Sequence, residues 1–145
     1  MSPDCVFCRI VAGTAPASVA YSDDRVVAFL DIAPITPGHL LVVPRAHATG
    51  LADLDPDLGG HVFRVAQRMA AGLRGSGLRC DGVNLFLADG SAAFQEVFHV
   101  HLHVLPRWRG DGFKLGYRAG TPARADLDRQ AGDIRAGLDR VALPE

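Results

Sequence analysis

The sequence predicts an α+β fold built on a mainly antiparallel sheet. Two observations predict it: short runs rich in β-branched residues recur between turn residues, and one long mid-chain segment carries apolar residues at helical spacing. The chain has 145 residues, 48% hydrophobic and 21% charged, with a formal net charge of −1. These values are ordinary for a globular protein, so we expect a single domain over 1–145 with its core at 4–108.

The first half of the chain predicts a short helix followed by three strands. A helical or turn segment covers Cys5 to Ala12 and ends at Gly13. Strand patterns follow at Ser18–Ser22, Arg25–Leu30 and Leu40–Val43. The prolines between the second and third strands cannot continue a ladder, so we expect Asp31 at a strand end.

The second half predicts the main helix, two further strands and a terminal helix. Apolar residues recur at helical spacing from Pro56 to Leu73. Strands are expected at Val83–Leu87 and Phe98–Leu105. Helical spacing returns at Ala125–Val141, inside a tail covering 122–142.

Charge and hydropathy exclude several classes of partner. Acidic and basic residues nearly cancel, so no nucleic-acid partner is expected. No apolar run reaches the length of about 18 residues that spans a bilayer, and the first residues lack the pattern of a secretory signal. We therefore expect a cytoplasmic protein without a membrane partner. In a reducing compartment, Cys5-Val-Phe-Cys8 indicates metal or redox chemistry rather than a disulfide.

Three histidines alternate with apolar residues in the fifth strand pattern. Strand periodicity places His99, His101 and His103 on one face, opposite an apolar face. A lone histidine in a strand is usually solvated or hydrogen-bonded in the core, and we interpret His39 as a hydrogen-bonded core residue. Three histidines in register instead indicate a functional site. In a strand the Cα atoms of His99 and His103 would lie about 13 Å apart, so we expect the three histidines to have different roles.

The central histidine of the three is the best placed to react. Imidazole has an unperturbed pKa of about 6.5 and is largely neutral in the cell. If a backbone carbonyl holds the Nδ1–H of His101, Nε2 becomes a nucleophile toward phosphorus, and His103 can donate to a phosphate oxygen. A metalloenzyme in which His99 and His101 chelate a catalytic ion is an alternative.

The ordered motifs of the chain resemble those of the histidine triad (HIT) family. The motifs are Cys5-Val-Phe-Cys8-Arg-Ile, Pro37-Gly-His-Leu-Leu-Val-Val-Pro44, Gln95-Glu96-Val97 and Phe98-His-Val-His-Leu-His-Val-Leu105. The resemblance implies a HIT-like fold: a five-stranded antiparallel sheet with a main helix and a C-terminal helix, usually in a homodimer. It also implies hydrolysis or transfer at the α-phosphate of a purine nucleotide.

The resemblance assigns roles to particular residues. His101 would form a nucleotidyl-histidine, which water then hydrolyses to a nucleoside monophosphate. Phosphate oxygens would bind His103, Gln95 and the backbone near Val97, and Asp31 would accept the ribose hydroxyls. The base pocket would be lined by Phe7, Ile10, Phe29 and Ile32.

Three positions depart from the pattern of well-known members. They are Ala88 in place of Asn, Phe94 in place of Gly, and Glu96 in place of Ser or Thr. All three lie on the leaving-group side, so the resemblance does not specify the leaving group. Glu96 would either supply the leaving-group proton or point to solvent.

The resemblance also suggests a structural zinc site. Cys5, Cys8, His47 and His99 give the Cys₂His₂ composition of a closed tetrahedral site, which bacterial members often carry. Such a site would tie the N-terminal segment to the catalytic strand without acting as a Lewis acid.

The leading functional hypothesis is a nucleotide hydrolase or phosphoramidase that converts AMP-X to AMP. A nucleotidyltransferase would share the same covalent intermediate. A protein that binds purine nucleotides without turnover is the third hypothesis, and Ala88 and Phe94 favour it.

Overall fold

A computed structural model describes residues 4–141, which divide into two units after Phe113. The first unit contains a five-stranded sheet. Its strands are β1 (Val19–Ser22), β2 (Val26–Leu30), β3 (Leu40–Pro44), β4 (Gly82–Phe86) and β5 (Leu102–Arg107). They lie in the order β1-β2-β3-β5-β4, and all neighbours are antiparallel, which confirms the predicted fold class.

The helices begin where the sequence supplies a cap. α1 (Val6–Val11) follows Cys5, whose Sγ accepts from the backbone N–H of Cys8 at 3.4 Å. α2 (Pro56–Gly75) follows Asp55, whose carboxylate accepts from Leu58 N–H at 2.8 Å. In the second unit, α3 (Arg124–Leu138) confirms the predicted terminal helix. Within residues 4–141, no helix has the length and apolar character needed to cross a membrane.

The two faces of the sheet carry separate apolar clusters. On one face α2 covers the larger cluster, and on the other α1 covers a smaller one. The larger cluster contains Val26, Ala28, Leu40, Val42, Leu58, Val62, Val65, Ala66, Leu73, Leu102 and Val104. The smaller one contains Phe7, Val27, Phe29, Leu41 and Val43.

The strand register brings one row of side chains across the face that α1 covers. Phe29 pairs with Leu41, Leu41 with His103, and His103 with Phe86. Directly paired residues point to the same face. His103 therefore lies beside the apolar cluster under α1, between it and the sheet edge at β4.

The predicted fifth strand is wrong at its beginning. It was expected from Phe98, but β5 begins at Leu102. The His99 N–H donates to the carbonyl of Val97 at 2.9 Å in a tight turn, and the Val100 N–H donates to Ala48 at 2.8 Å. His99 and His101 therefore lie on an irregular approach to the strand, and His103 lies within it.

Candidate active site and metal centre

Four potential metal ligands lie close together beside the irregular segment that leads into β5. Nδ1 of His99 lies 3.4 Å from Sγ of Cys5 and 3.6 Å from Sγ of Cys8. Nδ1 of His47 lies 3.3 Å from Sγ of Cys8 and 3.3 Å from Nδ1 of His99. Tetrahedral zinc, with bonds of about 2.3 Å to sulfur and about 2.0 Å to nitrogen, separates its ligand atoms by about 3.3–3.8 Å. The spacing of these four side chains fits that geometry.

The orientation of His99 also suits a metal ligand. Its Nε2 donates to the carbonyl of Pro44 at 2.8 Å, which leaves the lone pair of Nδ1 directed at the cluster. Burial holds the pKa of His99 below its usual value, which keeps the ring neutral. Two sulfur and two nitrogen donors are typical of structural zinc.

The hydrogen bond made by His101 fixes which of its nitrogens can react. Nδ1 lies 2.7 Å from the carbonyl oxygen of His99 and donates to it. The lone pair is therefore on Nε2. The His101 side chain is buried, its ring lies 5.1 Å from that of Phe7, and burial lowers its pKa. His101 is therefore held as a neutral imidazole with an available Nε2.

A chain of hydrogen bonds fixes the tautomer of His103. The Ile35 N–H donates to Nδ1 of His39 at 3.1 Å, so the proton of His39 is on Nε2. That Nε2 lies 2.8 Å from Nδ1 of His103 and donates to it. The remaining proton of neutral His103 is then on Nε2, where it can donate to a ligand.

The charges around His103 favour its neutral form. Burial, followed by the nearby His101 and His39, lowers its pKa to about 4. The Asp31 carboxylate opposes this shift and lies 3.6 Å from Nε2 of His39. The 2.8 Å between the His39 and His103 nitrogens is a hydrogen-bond distance, shorter than the separation of about 3.3 Å between two nitrogens on tetrahedral zinc. His39 and His103 are therefore a hydrogen-bonded pair rather than ligands of one zinc ion.

Three of the residues predicted for the base pocket come together under α1. Phe7 and Phe29 are buried with their rings 5.5 Å apart, and Ile10 packs against the same cluster. Ile32 is 99% exposed, so the fold does not bury it with them. Asp31 follows β2, as expected for a strand end, and its Oδ1 accepts from Ala33 N–H at 2.9 Å.

The predicted phosphate-binding segment 95–97 is fastened from both sides. The Gln95 side chain is buried, and its Oε1 accepts from Gly90 N–H at 2.7 Å. Its Nε2 donates to the carbonyls of Thr49 at 2.7 Å and Val97 at 3.1 Å. Glu96 is exposed. In this arrangement both amide protons of Gln95 are used within the protein, and a phosphate contact by Gln95 stays a prediction.

The residue before Gln95 has an uncommon backbone conformation. Phe94 has φ 67° and ψ 27°, in the left-handed region. Glycine adopts this region freely, whereas a residue with a Cβ pays about 1 kcal/mol or more. The ring of Phe94 is 83% exposed, so packing in this chain does not offset that cost.

Sequence reasoning did not find the role of His39. The prediction of a buried, hydrogen-bonded histidine is confirmed, since His39 is 2% exposed. Its partner His103 is 64 residues away in the chain, and no local pattern links the two. They meet because β3 and β5 are neighbours in the sheet.

Comparison with known proteins agrees with this geometry. The family model for the HIT domain matches residues 12–110. The chain belongs to the histidine triad (HIT) family. An uncharacterized HIT-like protein of Mycobacterium tuberculosis is 46% identical over 127 residues, covering 88% of this chain and 86% of that protein. Family membership supports a nucleotide-binding or nucleotide-hydrolysing type of function.

Two further relatives bear on the site. The crystal structure of a zinc-bound histidine triad family protein from Mycobacterium smegmatis is 46% identical with a TM-score of 0.74, covering 94% of this chain and 96% of that one. An Arabidopsis thaliana protein named adenylylsulfatase HINT3 is 35% identical over 109 residues, covering 74% of this chain and 54% of that protein. Together with the ligand geometry, the zinc-bound relative supports a structural zinc site in this chain, and Cys5, Cys8, His47 and His99 are the residues that would hold the ion.

Proposed function

We propose that this HIT protein hydrolyses AMP-X compounds at the α-phosphate through a nucleotidyl-histidine. The observation that carries the proposal is the bond from Nδ1 of His101 to the carbonyl of His99, at 2.7 Å. It leaves the lone pair of Nε2 available on a neutral ring, which is what attack on phosphorus requires. The name of the Arabidopsis relative, an adenylylsulfatase, supports an AMP-linked substrate.

The first step forms a bond from Nε2 of His101 to phosphorus and breaks the bond from phosphorus to X. X leaves with the bonding electron pair and takes up a proton, from Glu96 or, if Glu96 stays in solvent, from water. The Nε2–H of His103 donates to a non-bridging phosphate oxygen as negative charge develops there. In the second step water attacks the nucleotidyl-histidine, which releases AMP and restores neutral His101.

The remaining predicted residues bind the nucleotide in this proposal. Phe7 and Phe29 contact the base, with Ile10 and Ile32 at its border, and Asp31 accepts from the ribose hydroxyls. Gln95 and the backbone near Val97 face the phosphate. Glu96, which is exposed, supplies the leaving-group proton or remains in solvent. Cys5, Cys8, His47 and His99 would hold a zinc ion that ties α1, and with it Phe7, to the segment that leads into the triad.

The test is to trap the covalent intermediate. The protein is mixed with adenosine 5′-phosphoramidate, quenched in base to preserve a phosphohistidine-type bond, and mapped by peptide mass spectrometry, while AMP release is followed by chromatography. We expect an adenylyl group on His101 and AMP as product. His101→Asn should abolish both, and His61→Asn on α2 should retain both. An adduct on another residue, or AMP release by His101→Asn, would refute the nucleophile; binding without turnover would favour the non-catalytic hypothesis.

A homodimer in the cytoplasm completes the proposal. β4 lies at the sheet edge, where its outer backbone groups can pair with another strand, and Leu85 and Phe86 are 39% and 47% exposed there. Cysteine thiolates that bind zinc are stable in a reducing compartment. Sedimentation equilibrium should show twice the mass of the chain, and a monomer at micromolar concentration would contradict the dimer.

A further inference from the structure

Phe94 combines a left-handed backbone with an exposed aromatic ring, and packing within the described residues offsets neither. Among residues 4–141 it is the one non-glycine residue with positive φ, and its ring is 83% exposed. Residues with a strained backbone cluster at active sites and ligand-binding positions, so Phe94 is a candidate for contact with a ligand.

The loop that carries Phe94 is fastened to the protein around it. Gly90 and Gln95 exchange two hydrogen bonds, one through the backbone at 3.1 Å and one through the side chain at 2.7 Å. Gln95 also donates to Thr49, and Asp89 accepts from the Leu51 N–H at 3.0 Å. The loop is therefore held at both ends, so the exposed ring is presented from a fixed backbone.

The loop enters the triad from the strand that lies on the other side of β5 from the expected base pocket. It connects β4, at the sheet edge, to His99, whereas Phe29 lies on β2, two strands from β5 in the other direction. Val97, at the end of the loop, packs against the cluster under α1 and accepts from the His99 N–H at 2.9 Å. In the proposed binding mode, with the base on Phe7 and Phe29, X is then expected on the side of this loop.

Resting on the proposed function, we propose that Phe94 selects the leaving group by stacking on an aromatic or other flat apolar group in X. Aromatic rings stack at centroid distances of about 4.5–7 Å, and this contact adds to the burial of apolar area. The protein then prefers AMP conjugates of aryl-containing amines or acids over conjugates of small polar groups. The strained position of Phe94 is retained because the ring contacts substrate.

The experiment compares two substrates that differ only in the leaving amine: the adenosine 5′-phosphoramidates of 2-phenylethylamine and of methylamine. The selectivity is the ratio of their kcat/KM values, so intrinsic reactivity cancels between variants. We expect Phe94→Gly to lower this ratio about tenfold, or about 1.4 kcal/mol. The same variant should have a higher Tm, because glycine removes the backbone strain.

Matched substitutions separate the ring from its location. Phe94→Leu keeps an apolar side chain and the strain, and should lower the ratio about threefold. The same change at Phe63, a 51% exposed phenylalanine on α2, should leave the ratio unchanged. An unchanged ratio in Phe94→Gly, or an equal loss on both substrates, would overturn the proposal.

A binding measurement keeps this inference distinct from the proposed function. If the wild type hydrolyses neither compound, the proposed hydrolase activity fails. The dissociation constants of the two phosphoramidates, measured by calorimetry in the wild type and in Phe94→Gly, then decide the role of Phe94. A preference for the phenylethyl compound that disappears in Phe94→Gly supports the proposal, and equal affinities in the wild type overturn it.

Discussion

Nε2 of His39 lies 2.8 Å from Nδ1 of His103, and the other nitrogen of His39 accepts from the Ile35 N–H at 3.1 Å. A backbone amide always donates, so these two bonds together decide where both imidazole protons are. The result is a donor at Nε2 of His103, next to the proposed nucleophile His101, whose ring lies 4.9 Å from that of His103.

Loss of His39 should therefore impair catalysis without removing a group that touches substrate. In His39→Leu the ring of His103 can adopt either tautomer, and we expect kcat to fall about 10–100-fold with little change in KM. His103→Leu should cause a similar loss, and the double variant should lose little more, because the two rings act as a unit. Steady-state kinetics on the four proteins provides the measurement. Additive losses would show that the rings act separately, and His61→Leu is the control.

The stability of the protein should fall as the pH is lowered through the range in which His103 titrates. Folding lowers the pKa of His103 from 6.5 to about 4, so between these values the unfolded chain binds more protons than the folded one. The free energy of unfolding should therefore decrease from pH 6.5 toward pH 4. The side chains of His39, Asp31 and His101 face the ring of His103. Folding lowers the pKa of His39 as well, so His39 adds to the same dependence of stability on pH.

Urea unfolding from pH 4 to 7.5 measures this effect at constant zinc. His103→Asn should show a shallower decrease, and the difference from the wild type isolates His103, since zinc release at low pH affects both proteins. Parallel curves for the two proteins would contradict the assignment.

Removal of one zinc ligand should release the metal and destabilise the fold. Cys8 is buried and lies close to both histidine ligands, so Cys8→Ser should lower the zinc content, measured by elemental analysis, from one to near zero per chain. A ligand at 1,000 times its Kd stabilises by about 4 kcal/mol, so we expect Tm to fall by about 10 °C or more. Cys80→Ser is the control, because its thiol donates to Gly82 outside the cluster. Full zinc content in Cys8→Ser would refute the site.

Gln95 should contribute more to stability than its neighbour. Gln95→Met keeps the volume but removes three hydrogen bonds, to Gly90, Thr49 and Val97, and should cost about 2–3 kcal/mol. Glu96→Gln, at an exposed position, should stay within about 0.5 kcal/mol of the wild type. Chemical denaturation measures both. A loss for Gln95→Met no larger than that for Glu96→Gln would show that the loop does not depend on the amide.

The elements that could be predicted are those specified by neighbours in the chain. The continuous apolar run Leu40–Val43 and the helical spacing after Pro56 predicted strand β3 and helix α2 almost to the residue. The beginning of β5 was predicted four residues too early, because alternation continues through His99 and Val100 although their backbone bonds go to Val97 and Ala48. Periodicity reports which face a side chain prefers, not which partner its backbone finds.

The sequence by itself determined the fold class and the row of three histidines, since these depend on residue type and local spacing, and its resemblance to the HIT family indicated the four zinc ligands. Only the tertiary structure decided the protonation of each histidine, because a tautomer is set by the partner of the opposite nitrogen: Pro44 for His99, the His99 carbonyl for His101, and His39 for His103. The tertiary structure also decided the left-handed backbone of Phe94, a residue that belongs to no helical or strand pattern. The hydrogen bonds of Gln95 close the loop around Phe94 and impose this conformation.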